Sequence, residues 1–383
     1  MAIACGGTGG HLFPGLAVAG QLVQRGCGVT LMISPKEVDQ HAVRKVSGLE
    51  IVTLPAVGLR RGGEIAFVRG FAQSYRAARK CFRSQPPQAA LAMGGFTSAP
   101  PILAAKSLGA HTYLHESNTI PGRANRWLSW VVNRAFVGFP SAGERLNSRE
   151  VTVTGTPVRP TFQTLDARTC RAAVGLEPRR PVLLVMGGSQ GAGGINELVV
   201  QALPLFAEVA PQWQWFHLTG PEQAGEVRAA YAALGLKAVV HPFFAQMELA
   251  LGAASAAISR AGGSSLAELA AMRVPAVLVP YPAATDNHQF ENARAFEQSG
   301  AARLLEQSAA TPQSLARLLL PLVEGPATRE HIQGALRPWH TPEAAQQIAE
   351  TILEAIMERR LAVLSQPAAA ESSTLNEQTS PIA

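Results

Sequence analysis

The sequence predicts an α/β chain of two Rossmann-like, parallel-sheet domains facing one another across a cleft. Short apolar runs bounded by Gly and Pro alternate with helix-like stretches along the whole chain, the pattern of parallel strands covered by helices. Two glycine clusters, Gly6-Gly7-Thr8-Gly9-Gly10-His11 and Gly187-Gly188-Ser189-Gln190-Gly191-Ala192, stand roughly half a chain apart, each between an apolar run and a helical stretch. A Pro-rich link, Thr156-Pro157-Val158-Arg159-Pro160, separates the halves. In such sheets ligands sit beyond the carboxyl ends of the strands, where the glycine turns fall.

In chain order, the first half opens with a short strand at residues 2–5. Strands are then expected at 29–33, 89–93, 111–114 and 135–137. Between the strands at 29–33 and 89–93 lies a basic stretch with Arg60, Arg61, Arg69, Arg76, Arg79, Lys80 and Arg83. On a helix, Ile65, Val68, Phe71, Ala72, Tyr75 and Phe82 would form one apolar stripe with the cations along its flank. One reading buries that stripe in the core, and the other lays the segment on an anionic bilayer, where each charge contributes about 1 kcal/mol. Phe67, off the stripe, is the residue that burial explains least. The second half repeats the alternation, with strands at 182–186, 215–218, 238–240, 256–259 and 276–279. A helix over 344–364 is expected to pack back onto the first domain, and the Ala-, Ser- and Pro-rich end beyond it reads as a solvated tail. The expected units are therefore 1–157, 158–340, the returning helix 341–364 and the tail 365–383.

Composition narrows the function. At 383 residues, 47% hydrophobic and 16% charged, the chain can build two or three cores. Cys5, Cys27, Cys81 and Cys170 are scattered without Cys-x-x-Cys spacing, so neither a zinc site nor a disulfide framework is expected. No basic segment precedes an apolar core at the amino terminus, and prolines and glycines break the longest uncharged stretch, so neither a leader nor a membrane span is expected. A net charge of +6 favours an acidic partner.

The glycine turns carry the first chemical signal. Where a buried strand turns into a helix, glycine lets a ligand approach bare backbone, and the unpaired first N–H groups with the helix dipole attract anions. His11 ends one such turn, and its ordinary pKa suits proton transfer near neutrality. His115-Glu116-Ser117-Asn118 follows another strand. Ser259 to Glu268 adds a third strand-to-helix junction. There Glu268 either closes a capping box with Ser265 or accepts hydrogen bonds from a ribose. Asp286 to Ala293 is a dense polar run suited to sugar hydroxyls. Asp-x-Asp, a complete Gly-x-Gly-x-x-Gly and a P-loop are all missing. These absences disfavour a metal-held diphosphate, a dinucleotide oxidoreductase and a P-loop hydrolase. The cleft loops lack the aromatic interleaving of single-strand binders, so no nucleic-acid partner is expected.

These segments, from Gly6 to about Leu364, resemble the MurG family of peptidoglycan glycosyltransferases. The matching motifs are Gly6 to Ala17, Met93-Gly94-Gly95-Phe96, His115 to Asn118, Gly155 to Arg159, Gly187 to Ala192, Gly262 to Glu268, and His288-Gln289 with Asn292-Ala293. Thr156, Ser117 and Ala99 depart from the usual family residues. The resemblance implies a GT-B fold and an enzyme that transfers N-acetylglucosamine from UDP-N-acetylglucosamine to the 4-hydroxyl of undecaprenyl-pyrophosphoryl-N-acetylmuramyl-pentapeptide. The transfer would be inverting, with no metal and no cofactor, on the cytoplasmic face of the bacterial inner membrane. By the same resemblance His11 is the general base. Thr8, Gly9, Gly10, Asn118, Arg159, Ser189, Gln190, Asn196, Phe244, Ser264, Ser265, Glu268 and Gln289 surround the donor, while Gly94, Gly95, His115 and Glu116 serve the lipid-linked acceptor. Gly9 and Gly10 would also face the lipid diphosphate. The basic segment would meet the anionic membrane surface. A UDP-sugar epimerase of similar fold and a non-catalytic nucleotide-binding protein are the rival readings.

Overall fold

Two fully parallel sheets, each covered by helices, make up the protein. The computed structural model describes residues 1–7, 9–43, 48–55, 63–188 and 191–365. Thr8, Arg60, Arg61, Ser189, Gln190 and the tail from Gln366 lie outside them. The first sheet contains β1 (Ala2–Ala4), β2 (Thr30–Ile33), β3 (Glu50–Thr53), β4 (Ala89–Ala92), β5 (His111–Glu116), β6 (Arg134–Val137) and β7 (Val151–Val153), in the order β3-β2-β1-β4-β5-β6-β7. The second contains β8 (Val182–Met186), β9 (Gln214–Leu218), β10 (Ala238–His241), β11 (Ala256–Ser259), β12 (Ala276–Leu278) and β13 (Arg303–Leu304), in the order β10-β9-β8-β11-β12-β13. This is the α/β, two-sheet architecture that the alternation predicts.

Central strands are apolar throughout because helices cover both faces: every residue of β1, β4 and β8 is buried. In each sheet the strand order reverses once, between β1 and β4 and between β8 and β11. A crevice opens at the carboxyl ends of such a pair. The first is flanked by Gly6, Gly7 and the Gly94–Gly95 loop, the second by Gly187, Gly188, Gly191 and the loop before Gly263. The sequence reading misses β3, β7 and β13, and all three are edges. β3 and β7 bury no residue fully, so they lack the continuous apolar run that marks a central strand.

The helix Glu64–Ser84 corrects the expected stripe. Its buried residues are Gly70, Ser74, Ala78 and Phe82, whereas Ile65 is 79% and Val68 63% exposed. Small residues let it approach the helix Ala99–Ser107, and the apolar residues of its first turns are left facing out.

The helix Ala344–Leu364 returns to the first sheet and lies along the helix Gly9–Gln24. Ile348, Ala349 and Ile352 are fully buried there in one cluster with Ile3, Leu12, Tyr113 and Phe136. An Arg25–Glu350 ion pair of 2.8 Å closes the rim of this contact.

Candidate active site

The amino-terminal wall of the cleft is built around His11, in the first turn of the helix that leaves the glycine turn. Its ring lies against the backbone of Gly94 and Gly95, which hold φ of 101° and 77°. A Cβ on either would fall 3.0 Å from an imidazole atom, so only glycine offers both the conformation and the space. Burial lowers the pKa of His11 from its ordinary value. Glu116 and Asp39 push it back up, while His288 and Lys36 add to the lowering.

Behind His11, the side chains of His115 and Glu116 are spent on the protein itself. His115 is buried, with Nε2 3.0 Å from the Gly155 carbonyl and Nδ1 3.4 Å from Ser117 Oγ. Burial lowers its pKa too. One oxygen of Glu116 accepts from Asn118 N–H at 2.9 Å and Asn118 Nδ2 at 3.0 Å. The other accepts from Gly122 N–H and Asn125 Nδ2, each at 2.9 Å. These two residues, expected at the acceptor, thus shape the loop after β5 and keep their polar atoms inside.

Opposite stands the helix Gly263–Met272, capped by Gly262 with no side-chain bond. Ser265 is therefore inside the helix, and the capping-box reading of Ser265 and Glu268 is removed. Burial pushes the Glu268 carboxyl up to about 7, with Arg159 lowering it and Glu248 raising it. The Arg159 guanidinium lies over Phe13 at 4.7 Å and Phe162 at 4.9 Å, and 4.0 Å from Glu248. Gln289 turns its carbonyl inward to accept from Tyr281 N–H at 3.0 Å and Ala261 N–H at 3.3 Å. Phe244 packs on Phe216 and His241 beside the end of β10.

Asn196 is buried, not presented to the cleft. Its Nδ2 donates to Thr219 O at 2.9 Å and Gln223 Oε1 at 2.7 Å, and its Oδ1 meets His217 Nε2 at 3.0 Å. The network fixes the Thr219–Gly220 segment, against which Gly191 of the second glycine turn packs.

The two walls touch at the floor of the cleft. Ser264 Oγ donates to Gly10 O at 2.7 Å, and Gly263 N–H donates to Asn118 Oδ1 at 3.2 Å. Asn292 Nδ2 donates to the same Asn118 oxygen at 2.9 Å. In return Asn292 Oδ1 accepts from Thr119 N–H at 2.8 Å and Thr119 Oγ1 at 2.9 Å. A side chain at Gly263 would strike the Ser117 carbonyl. Asn118, expected to reach the donor, has its Oδ1 engaged in this junction and its Nδ2 held by Glu116 on its own wall.

The sequence alone assigns several contributors no role. Asn292 stands in a motif that it singles out, yet its partner Thr119 is 173 residues away. Arg260 is buried beside the Gly263 junction, donating to Val279 O at 2.9 Å and Pro280 O at 3.0 Å. Asp39 has no motif at all. Thr8, Ser189 and Gln190 fall outside the described residues.

Away from the cleft, an open groove of about 610 Å³ runs along the Glu64–Ser84 helix. Phe71, Tyr75, Arg76, Arg79, Lys80 and Arg83 line it, with Leu103 on the far side. Among the described residues, no helix is long and apolar enough to cross a membrane.

Comparison with known proteins places both walls in one family. Residues 1–137 match the glycosyltransferase family 28 N-terminal domain, and residues 182–352 match the family 28 C-terminal domain. The chain is 34% identical over 367 residues to the UDP-N-acetylglucosamine--N-acetylmuramyl-(pentapeptide) pyrophosphoryl-undecaprenol N-acetylglucosamine transferase of Anaeromyxobacter dehalogenans (strain 2CP-1 / ATCC BAA-258), covering 94% of each. The crystal structure of Acinetobacter baumannii MurG superposes with a TM-score of 0.71 at 29% identity, covering 92% of this chain and 99% of that one. A putative UDP-N-acetylglucosamine 2-epimerase from Listeria monocytogenes reaches a TM-score of 0.70, covering 93% of this chain and 97% of that one. At 15% identity it shares the fold alone.

Proposed function

The chain belongs to glycosyltransferase family 28 and is a hexosyltransferase of the MurG type, and from that premise we propose that it transfers N-acetylglucosamine from UDP-N-acetylglucosamine to the 4-hydroxyl of undecaprenyl-pyrophosphoryl-N-acetylmuramyl-pentapeptide. The observation that supports this most is the apposition of His11 and the amino end of the Gly263–Met272 helix, bridged by the Ser264–Gly10 bond. It puts a proton acceptor and an anion-stabilising end at one cleft.

The reaction is a single displacement. The acceptor oxygen attacks the anomeric carbon from the face opposite UDP, a new C–O bond forms, and the bond to the diphosphate breaks with its electron pair leaving on UDP. His11 takes the acceptor's proton. The charge growing on UDP is met by the helix dipole, by the Ser265 hydroxyl and by Arg159, and by the Ser264 hydroxyl once it turns from Gly10 O to the diphosphate, each positioned donor contributing about 3 to 4 kcal/mol to such a transition state. Glu268 accepts the ribose hydroxyls, and Phe244 and Gln289 complete the donor wall with Ser189 and Gln190. Asn196 acts behind them, through the Thr219–Gly220 segment. Gly94 and Gly95 seat the imidazole, while His115 and Glu116 position the loop that carries Asn118. In this reading residues 1–157 take the acceptor and 158–340 the donor.

A lipid acceptor requires docking at the inner leaflet. The basic groove of the Glu64–Ser84 helix, with Ile65 and Val68 exposed at its start, is the surface we assign to that contact.

The test is incubation of the full chain with radiolabelled UDP-N-acetylglucosamine, with and without the lipid-linked muramyl acceptor. Formation of a β-linked disaccharide lipid with one UDP released per transfer is the expected result. Labelled free sugar or an epimerised UDP-sugar in both tubes, with no lipid product, would overturn it in favour of the epimerase reading.

A further inference from the structure

Beneath the first glycine turn lies a charge that the reaction scheme leaves unused. Asp39, in the helix Glu37–Val43, is fully buried. Its Oδ2 accepts from Gly7 N–H at 2.7 Å, from Ser34 N–H at 3.2 Å and from Ser34 Oγ. From the other side, Lys36 Nζ donates to Gly7 O at 2.9 Å and lies 5.5 Å from the Phe96 ring. Gly7 is thus gripped at its N–H by an anion and at its carbonyl by a cation, both supplied by the short segment after β2. The second oxygen of Asp39, Oδ1, is buried with no partner among the described residues. A carboxylate kept out of water with one oxygen unsatisfied works against folding stability, so stability alone does not account for its place under the turn.

We propose that Asp39 is a positioning residue for the transfer reaction, fixing the glycine turn that carries His11 and setting the charge environment in which His11 receives the acceptor's proton. The inference rests on His11 being the base. It has a corollary for binding: Gly7 N–H is already bonded to a carboxylate, so it is no donor to a ligand phosphate, and the glycine turn serves the imidazole at this position. The four groups whose charge reaches His11 come from three segments. They are Glu116 on β5, Asp39 on its helix, His288 at the start of the helix His288–Gln298, and Lys36 just before Asp39. Asp39 and Glu116 favour the protonated ring, and Lys36 and His288 oppose it. This is the arrangement a base needs if it is to hold a proton only briefly.

Two full-length variants test the idea, Asp39→Asn and Lys36→Ala. Each would be assayed for kcat, for the acceptor KM, for UDP affinity by calorimetry and for the pH profile of kcat/KM. For Asp39→Asn we expect kcat to fall tenfold or more, within the roughly hundred- to ten-thousand-fold worth of general base catalysis. UDP affinity should stay within about twofold, because the donor wall belongs to the other sheet. The acid limb should move to lower pH, since a charge favouring the imidazolium is gone, and Lys36→Ala should move it to higher pH. Wild-type kcat with an unmoved limb in both variants overturns the proposal. So does a fall in kcat with the limb unmoved, which would reflect loosening alone. Should Asp39→Asn lose UDP binding through misfolding, Lys36→Ala decides: a raised limb supports the proposal and an unmoved one ends it. Transfer by the wild type with unaltered variants removes only this inference, whereas no transfer by the wild type removes the functional reading beneath it.

Discussion

His11 is held between opposing influences, and its behaviour with pH follows from which is larger. Burial is the largest and lowers its pKa from 6.5, so the ring is neutral and able to accept a proton throughout the neutral range. The acid limb of kcat/KM is expected below 6.5 in a rate profile taken at saturating donor. His11→Ala should lower turnover about a hundred- to ten-thousand-fold with UDP affinity nearly unchanged, and unchanged turnover would remove it from the role. Glu268 behaves in the opposite sense. Burial lifts its carboxyl from 4.5 to about 7, so the folded chain binds the extra proton between those values. Its contribution favours the fold below about 4.5 and is lost as pH rises through about 7. Glu268→Gln should therefore raise the melting temperature at pH 8 and leave it unaltered at pH 4. Donor affinity, which needs the ionised carboxylate, should climb from pH 6 to pH 8 in the wild type and stay flat and weaker in the variant, as calorimetry can show. Both residues are legible in the sequence because each stands inside a contiguous run that ends a strand. Asp39 is not, since its meaning lies in a bond to Gly7, 32 residues away, and no local pattern announces it.

At the scale of elements, what the sequence conveys depends on burial. Central strands such as β8 are apolar end to end and are read at once, whereas the edges β3, β7 and β13 mix polar and half-exposed residues and read as loops. The Glu64–Ser84 helix shows a subtler failure. An apolar stripe at helical spacing is expected to face inward, but here the inward face is Gly70, Ser74 and Ala78, small residues chosen for close approach to a neighbouring helix. Hydrophobicity alone cannot separate a stripe that packs on protein from one that packs on something else. The outward Ile65 and Val68, followed by the cations that line the groove, fit a membrane surface by both apolar contact and charge. Flotation with anionic vesicles should recover the wild type at low salt and lose it as salt rises. An Arg76→Glu, Lys80→Glu pair should weaken binding at low salt, and Ile65→Ser, Val68→Ser should weaken it at any salt. Binding that ignores lipid charge, salt and all four substitutions would remove this face from the docking role.

At the scale of the molecule, the two sheets are joined by contacts of two kinds with different consequences. At the cleft the junction is polar: Asn118, Thr119 and Asn292 exchange bonds that water could replace if the walls separated, and an Arg126–Asp286 pair lies near the surface. Beside it the contact is apolar, with buried Phe139 of the first domain packed on Phe296 and Trp339 of the second at 6.2 and 5.3 Å, so parting the domains there would expose aromatic surface. The returning helix Ala344–Leu364 is different, since Ile348 and Ile352 are wholly buried against the first sheet with Ile3, Tyr113 and Phe136. Apolar contact of this depth is part of that domain's own core, although the residues come from the far end of the chain. Ile352→Ala should then cost about 2 to 5 kcal/mol through lost burial and the cavity left behind. The loss should fall on the first domain alone. In a denaturant titration, tryptophan or exchange signals from the first sheet should unfold earlier in the variant, while the second sheet keeps its midpoint and its protection by UDP. A shift of both midpoints together would mean that the two sheets fold as one cooperative unit, coupled through the contact of Phe139 with Phe296 and Trp339 as well as through the polar junction.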